Sequence, residues 1–155
     1  RYGLMYQLLD HYLGRPAQDW PAKFGAFVSE RLAGAAAVVS GAKDQPADVG
    51  PSLPVARYAG TYADPWYGDL VVAADGKGLS VNFATTPGMK GRLRHWQYDT
   101  FVTEFADPSI EPAYLTFAIG AAGKVKGVTA KAVSPIADFS FDYHHLNFVP
   151  KNEKE

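Results

Sequence analysis

Residues 79–83 read Leu-Ser-Val-Asn-Phe, and residues 138–143 read Asp-Phe-Ser-Phe-Asp-Tyr. In both stretches apolar and polar side chains alternate, which is typical of a strand that has one face on a core and the other face in water. Residues 114–119 follow the same two-residue period. All three stretches lie within residues 58–148, and we interpret that region as one continuous meander of about eight short strands.

Turn signals separate these strands. Asp75-Gly76, Tyr98-Asp99 and Ala122-Gly123-Lys124 supply residues that accept a positive φ or bond locally at a turn, so successive strands are expected to pair antiparallel. Closing such a sheet removes its edges and thereby avoids edge-to-edge aggregation. We therefore predict a mainly β fold with a closed antiparallel barrel of about eight strands. The remaining strand candidates are residues 70–74, 93–96, 100–105 and 125–133.

Two helices are predicted ahead of the barrel. Apolar residues recur at intervals of three and four over residues 2–13, which indicates an amphipathic helix, and Gly14 follows where a C-terminal cap belongs. A second helix is expected to begin at Asp19, whose carboxylate can cap the first turn, and to fray from Ala35 to Gly41. Its apolar stripe consists of Trp20, Phe24, Phe27, Val28, Leu32 and Ala35.

The stripe of the second helix predicts an interaction surface formed by Trp20, Phe24, Phe27 and Leu32. Two short helices cannot bury such a face against each other alone, so we expect it to pack on the barrel, on a second copy of the chain or on a missing partner. The chain opens without Met, which suggests a fragment. The predicted organisation is a helical segment at 1–42, a proline-rich linker at 43–54, the barrel at 55–150 and a disordered tail at 151–155.

Composition excludes several classes of protein. Fifteen Lys and Arg side chains are balanced by sixteen Asp and Glu side chains, so the chain carries no basic footprint for nucleic acid. With no cysteine, neither a disulfide framework nor a thiolate metal site can form. The longest apolar run, residues 33–39, is far shorter than the roughly 20 residues that span a bilayer, and the start of the chain has no signal-peptide pattern.

Four segments carry a resemblance to a known family: Tyr-Ala-Gly-Thr-Tyr at 58–62, Tyr67-Gly68, Leu-Arg-His-Trp-Gln-Tyr-Asp-Thr-Phe at 93–101, and the stretch at 138–143. In their order and spacing they resemble the C-terminal lipocalin-like domain of penicillin-binding-protein-like serine hydrolases, in the serine β-lactamase superfamily. Upstream, Leu-Asp-His-Tyr-Leu-Gly at 9–14 and Asp19-Trp20 look like the helical tail by which the hydrolase domain of such proteins runs into this module.

The resemblance implies an eight-stranded lipocalin-like barrel appended to a catalytic domain that is missing from this chain. That domain would carry a nucleophilic Ser with a Lys three residues later, and it would be the main partner of the barrel. The chain itself is then expected to be a non-catalytic accessory domain without a cofactor, which packs on, orients or oligomerises the hydrolase domain. The family also favours a bacterial protein in a periplasmic or secreted location.

One tetrapeptide, Ser40-Gly-Ala-Lys43, matches the Ser-x-x-Lys spacing. In that chemistry the Ser lies at the buried start of a helix, so that Lys on the next turn can reach its hydroxyl. Here the Ser is expected at the end of a helix, beside Gly41 and the proline-rich linker. A motif counts only in its structural context, and no catalytic residue is therefore assigned.

Histidines at two places in the sequence are candidate site residues. Adjacent residues on a strand face opposite sides, so of the group Asp142, His144 and His145 only Asp142 and His144 share a face, and no metal site is predicted. His95 shares its face with Leu93 and is predicted to point into the barrel. There it is either a hydrogen-bonded core histidine or a contact for a ligand or for the catalytic domain.

Small-molecule binding inside the barrel is the alternative function. An eight-stranded barrel is just wide enough for packed side chains or for one small ligand. The candidate ligand contacts are Trp66, Tyr67, His95, Trp96 and Tyr98, whose aromatic rings either line a barrel mouth or fill the core. The side chains expected inside are mostly large, which favours a filled barrel; they are Leu79, Phe83, Leu93, Phe101, Phe105, Phe117, Phe139 and Phe141.

Overall fold

The computed structural model describes residues 2–42, 49–137 and 143–151 of the 155-residue chain. These residues form two α-helices followed by eight strands. The helices are α1 (Tyr2–Tyr12) and α2 (Trp20–Gly41). The strands are β1 (Gly60–Asp64), β2 (Gly68–Ala74), β3 (Leu79–Phe83), β4 (Lys90–Gln97), β5 (Thr100–Phe105), β6 (Ala113–Ile119), β7 (Val125–Ala132) and β8 (Asn147–Pro150).

The eight strands close into a barrel in chain order, each antiparallel to its neighbours. Closure is made between the first and last strands, where Tyr62 lies opposite Pro150 and Ala63 lies opposite Val149. The predicted mainly β fold with two preceding helices is therefore confirmed. Because the meander runs up and down, its turns alternate between two ends. We call the end with the β4–β5 turn the Asp99 end and the end with the β1–β2 turn the Trp66 end.

Large side chains fill the interior of the barrel. The ring of Phe117 is 2% exposed, and its centroid lies 5.2 Å from that of Tyr58, 5.5 Å from Phe101 and 5.9 Å from Tyr62. Edge-to-face contacts of this kind add to the stabilisation from burial alone. Leu79, Phe83, Leu93 and Phe101 are also buried in this core, and Phe105 packs against it half-buried. The predicted interior residues Phe139 and Phe141 lie outside the described residues.

The chain between β7 and β8 differs from its prediction at Tyr143. The alternating pattern at 138–143 predicts a strand, but Tyr143 begins a short 3₁₀ helix, Tyr143–His145. The side chain of Tyr143 is buried, and its hydroxyl donates to the Glu111 carbonyl at 2.7 Å. Tyr143 thus anchors a turn to the loop before β6, and β8 closes the barrel. Asp138 to Asp142 lie outside the described residues.

The two helices form a hairpin with a tight crossing. Gly14 takes a φ of +62°, which ends α1 as predicted because glycine adopts this conformation without steric cost. Asp19 accepts from the Ala22 N–H at 3.0 Å and caps α2. A Cβ at Gly3 would lie 2.8 Å from the Pro21 Cα, so only glycine permits this approach. The buried Asp10 carboxylate accepts from the Trp20 indole N–H at 2.5 Å.

The C-terminal end of α2 docks on the outside of the barrel. Ala42 and the half-buried Val39 pack with Val102 and Val133, and the Arg94 guanidinium donates to the Ala42 carbonyl at 2.6 Å. The expected fraying from Ala35 to Gly41 is therefore wrong, since an alanine-rich sequence favours the helix and the barrel supports its last turn. None of the helices in the described ranges is long and apolar enough to span a membrane.

The middle of the α2 stripe lies away from the barrel. Trp20 and Phe24 pack on Tyr6 of α1, with centroid distances of 5.2 and 5.5 Å, whereas Phe27 is 54% exposed and Leu32 is 56% exposed. Of the three alternatives for this stripe, packing on its own barrel does not apply to Phe27 and Leu32, and a contact of these two residues with a second copy or a missing partner stays a prediction. Phe27 and Leu32 precede the C-terminal end of α2, which is the part that packs on the barrel.

Replacing Phe117 by Ala should lower the free energy of unfolding by about 3–5 kcal/mol, because it removes a buried ring and leaves a cavity among aromatic neighbours. Chemical denaturation measures this cost. Asn82→Ala, at an exposed position on β3, is the control and should change the free energy by no more than about 0.5 kcal/mol. A cost below about 1 kcal/mol for Phe117→Ala would contradict a packed interior.

Candidate functional site

The five predicted ligand contacts do not form one group. Trp66 and Tyr67 lie in the β1–β2 turn, whereas Tyr98 lies in the β4–β5 turn and His95 and Trp96 lie just before it on β4. In an up-and-down barrel these two turns are at opposite ends. The structure therefore divides the predicted set between the Trp66 end and the Asp99 end.

A segment of the chain closes the Asp99 end. Residues 49–59, which we call the closing segment, include the 3₁₀ helix Val55–Tyr58 immediately before β1. Its last helical residue, Tyr58, is fully buried, and the Tyr58 ring lies 5.0 Å from that of Phe101 in an edge-to-face contact. Tyr62 on β1 donates its hydroxyl to the Tyr58 carbonyl at 2.7 Å. The closing segment thus supplies a core side chain from outside the sheet.

The Asp99 carboxylate holds this segment in place. It accepts hydrogen bonds from the Tyr58 hydroxyl, from the Ser52 hydroxyl at 2.8 Å and from the Ser52 N–H at 3.1 Å. The Tyr58 hydroxyl in turn accepts from the Leu53 N–H at 3.2 Å. Hydrogen bonds to an ionised acceptor are stronger than neutral ones. One carboxylate therefore connects both parts of the closing segment to the β4–β5 turn.

The pKa values of the two central groups reflect this arrangement. Burial raises the pKa of Tyr58 to about 12, and the hydrogen bond to Asp99 adds to the increase. Burial alone would raise the pKa of Asp99, but the hydrogen bonds from Tyr58 and Ser52 outweigh it and lower the pKa. The stable form of the pair is thus a neutral phenol that donates to a carboxylate.

Backbone geometry aims Asp99 at the closing segment. Tyr98 takes a φ of +46°, which a residue with a Cβ adopts at a cost of about 1–2 kcal/mol. The Tyr98 N–H donates to the Val49 carbonyl at 3.2 Å, and its own carbonyl lies 2.8 Å from His95 Nε2. The ring of His95 packs edge-to-face on Phe101 at 5.3 Å. His95 is half-buried, and it supports the turn.

Trp96 lies on the outer face of the barrel. Its ring packs on Tyr114 at 5.6 Å, within the cluster that receives the C-terminal end of α2. It therefore contributes to the contact between helix and barrel. Tyr98 is largely exposed beside the closing segment.

The Trp66 end presents a different surface. Asp64 accepts from the Trp66 and Tyr67 N–H groups at 2.8 and 3.1 Å, and from the Asn147 N–H at 3.1 Å. Burial would raise the pKa of Asp64, but these backbone donors outweigh it and lower the pKa. The turn is thereby fixed to β8, and Trp66 is 92% exposed. A role of Trp66 as a ligand contact stays a prediction.

The Ser-x-x-Lys motif and the histidine pair do not form a catalytic or metal site among the residues that the structure describes. Ser40 lies exposed in the last turn of α2, and Lys43 falls outside the described residues. His144 and His145 are exposed in the 3₁₀ helix, and Asp142 is not among the described residues. Within the described ranges no three His, Asp or Glu side chains are grouped so that they could hold a metal ion.

Sequence reasoning missed the roles of Asp99, Tyr58 and Ser52. It treated Tyr98-Asp99 as turn residues and residues 43–54 as a linker. The signal that could have found the group is a buried tyrosine at the start of the barrel, because a buried phenol needs a hydrogen-bond partner.

Comparisons with known proteins place the chain in a family. The family described as "Domain of unknown function (DUF3471)" matches residues 44–150, and the chain belongs to it. This family is known as the C-terminal region of β-lactamase-like proteins. The chain is also similar to the unguisins hydrolase ungD of Aspergillus violaceofuscus, with 41% identity over 83 residues. The match covers 48% of this chain and 15% of that hydrolase. No solved structure matches the chain.

Tyr58→Phe should lower the free energy of unfolding by about 1–3 kcal/mol near neutral pH, because it removes a hydrogen bond to a charged group. Asp99 has a lowered pKa in the folded state, so its contribution is present above an unfolded pKa of about 3.9 and is lost as the pH falls through the folded value. Tyr58 has a raised pKa, so its contribution is complete below about pH 10 and is lost as the pH rises through about 12.

The difference between wild type and Tyr58→Phe should therefore shrink in acid and in alkali. Tyr62→Phe is the matched control. Burial raises the pKa of Tyr62 to about 12, but its hydroxyl donates to a carbonyl. Its difference from wild type should shrink in alkali alone. Chemical denaturation across the pH range measures both, and equal acid behaviour of the two variants would rule out the Asp99 link.

Proposed function

We propose that this DUF3471 domain is a non-catalytic accessory module of a serine β-lactamase-like hydrolase of the peptidase or esterase type. It packs on, orients or oligomerises the catalytic domain. The parent family and the partial similarity to an unguisins hydrolase both support a relation to hydrolases. Most of that relative lies outside the aligned stretch, which leaves ample chain for a separate catalytic domain.

The use of polar side chains within the barrel also supports a non-catalytic role. The buried carboxylate Asp64 and the half-buried carboxylate Asp99 accept hydrogen bonds from neighbouring structure. The buried hydroxyl of Thr103 accepts from the Ala113 N–H at 2.8 Å. Acyl transfer needs a nucleophile, a base and oxyanion donors around one reacting atom. These groups instead stabilise turns and strands.

The observation that carries the accessory role is the outer face of α1. Gly3, Tyr6 and Asp10 face α2 through the contacts described above, and the residues on the opposite side are also apolar. They are exposed in this chain and comprise Leu4, Met5, Leu8, Leu9, Tyr12 and Leu13. An apolar helix face normally packs against other structure. A contiguous exposed apolar surface of this kind marks an interaction site.

The helical hairpin therefore has the character of a joint between two domains. Its α2 end is fixed to the barrel through Ala42 and Arg94, while the outer face of α1 is open to a partner. The family match begins at residue 44, after both helices, which is consistent with a hairpin that belongs as much to the neighbouring domain as to the barrel. Phe27 and Leu32, from the predicted interaction surface, are likewise exposed on α2.

The isolated chain should not hydrolyse ester, D-amino-acid peptide or cephalosporin substrates, because its polar groups are engaged in structure. Assays of the purified chain beside Ser40→Ala measure this. Turnover that disappears in Ser40→Ala would show that the chain is itself a hydrolase and would contradict the proposal.

Within a full-length parent protein, Leu8→Glu should destabilise the joint by about 2 kcal/mol or more, because it places a charge in an apolar contact. Thermal unfolding and the hydrolysis rate of the full-length protein measure the effect. Gln7→Glu, on an exposed polar position of the same helix, is the matched control and should change neither. Equal behaviour of the two variants would rule out α1 as the joint.

Sedimentation of the isolated chain tests whether a second copy of the chain binds to the outer face of α1. If the wild-type chain forms a dimer that Leu8→Glu abolishes, the outer face of α1 joins copies of this chain. That result, together with an unchanged full-length hydrolase, would replace the proposed domain joint by a dimer interface.

A further inference from the structure

A cleft opens in the barrel wall at the Asp99 end, where two neighbouring strands differ in length. Strand β3 begins at Leu79, which pairs with Leu93, while β4 continues to Gln97. Beyond Leu93 the edge of β4 on this side therefore has no β3 partner. The resulting cleft has a volume of about 390 Å³.

The walls of the cleft are of two kinds. Val55 of the closing segment contributes exposed apolar surface, and the nearly buried side chains of Leu79, Leu93 and Phe101 form the floor at the edge of the core. Lys77 and Arg92 stand on the rim with Arg94, His95 and the carboxylate of Glu104. A concave apolar surface with a few convergent polar groups is typical of a small-molecule site, and such sites have volumes of about 300–1,000 Å³.

The positively charged side chains on the rim differ in their ion pairs and hydrogen bonds. Arg94 pairs with Glu104 at 2.7 Å and caps α2 through the Ala42 carbonyl. In contrast, neither Arg92 nor Lys77 forms an ion pair with any of the described residues. Arg92 donates one hydrogen bond, at 3.2 Å to the Lys77 carbonyl, and a guanidinium carries five N–H donors. Two cations thus have donors to spare beside an apolar surface.

The neighbouring turn fixes one of these two residues. The Asp75 carboxylate accepts from the Lys77 N–H at 2.9 Å, and the Asp75 N–H donates to the Gly78 carbonyl at 3.3 Å. The Arg92 bond to the Lys77 carbonyl joins this turn to β4. The backbone that presents both cations is therefore held before any ligand binds, and this reduces the entropy lost on binding.

We propose that this cleft binds a small organic anion that has a terminal carboxylate and an apolar body. The guanidinium of Arg92 offers the planar fork that matches a carboxylate with two parallel hydrogen bonds, and Lys77 adds a second positive charge. The apolar body lies against Val55, over the floor that Leu79, Leu93 and Phe101 form. This inference is independent of the hydrolase relation, because it rests on the cleft alone.

Binding of N-acetyl-L-phenylalanine to the full chain, followed by amide chemical shifts in NMR, tests the proposal. The amides of Lys77, Gly78, Arg92 and His95 should shift in a saturable way, and N-acetyl-L-phenylalaninamide, which lacks the carboxylate, should bind at least about tenfold more weakly. Octanoate, run in parallel, separates a fatty acid from a peptide C-terminus as the source of the carboxylate. Saturable shifts of the same amides by either acid support the site.

Two variants make the test specific. Arg92→Gln should weaken binding of the acid about tenfold or more, because it removes the charged fork. Lys131→Gln, which removes an exposed cation on β7 away from the cleft, should leave binding unchanged. The proposal is overturned if neither acid shifts these amides, if acid and amide bind equally, or if Arg92→Gln binds the acid like wild type while retaining its own NMR spectrum of a folded barrel.

Discussion

The hydrogen bonds that converge on the Asp99 carboxylate are the interaction on which the barrel interior depends. A barrel of eight strands leaves its ends open unless a segment of chain covers them, and here residues 49–59 do so by inserting Tyr58 between Phe101 and Phe117. A buried phenol is costly without a partner. The β4–β5 turn supplies that partner, and the non-glycine residue Tyr98 adopts a positive φ in the same turn. The covering of this end of the barrel therefore depends on the conformation of the β4–β5 turn.

Much of the fold could be predicted because the strands obey a local rule. Side-chain alternation at 79–83 and 114–119 matches strands β3 and β6, and Asp75-Gly76 lies in a turn in which Gly76 has a φ of +77°. The 3₁₀ helix at Tyr143–His145 could not be predicted in this way. Alternation of apolar and polar residues shows which side chains favour burial, but it does not give the backbone conformation. Tyr143 is held in its position by a hydrogen bond to the Glu111 carbonyl, which is distant in sequence.

The functional residues were harder to predict because the path of the chain decides which residues meet. Trp66 and Tyr98 are both exposed aromatics in turns, and residue type alone groups them. The order of strands separates them by the length of the barrel. Conversely, Ser52 and Asp99 are 47 residues apart in sequence and are joined by hydrogen bonds. A local sequence pattern cannot predict a contact between residues this far apart. A tyrosine that is buried at the start of the barrel does indicate that its hydroxyl has a hydrogen-bond partner.

A filled interior moves the functional surfaces to the outside of this barrel. The closing segment covers the mouth of the barrel at the Asp99 end, so the two surfaces proposed above for recognition, the outer face of α1 and the wall between β3 and β4, lie outside the core. Strand β4 continues to Gln97, whereas its pairing with β3 ends at Leu93 opposite Leu79. Val55 of the closing segment lines the cleft beside this unpaired edge. The segment that seals the core therefore also forms part of the concave surface next to it.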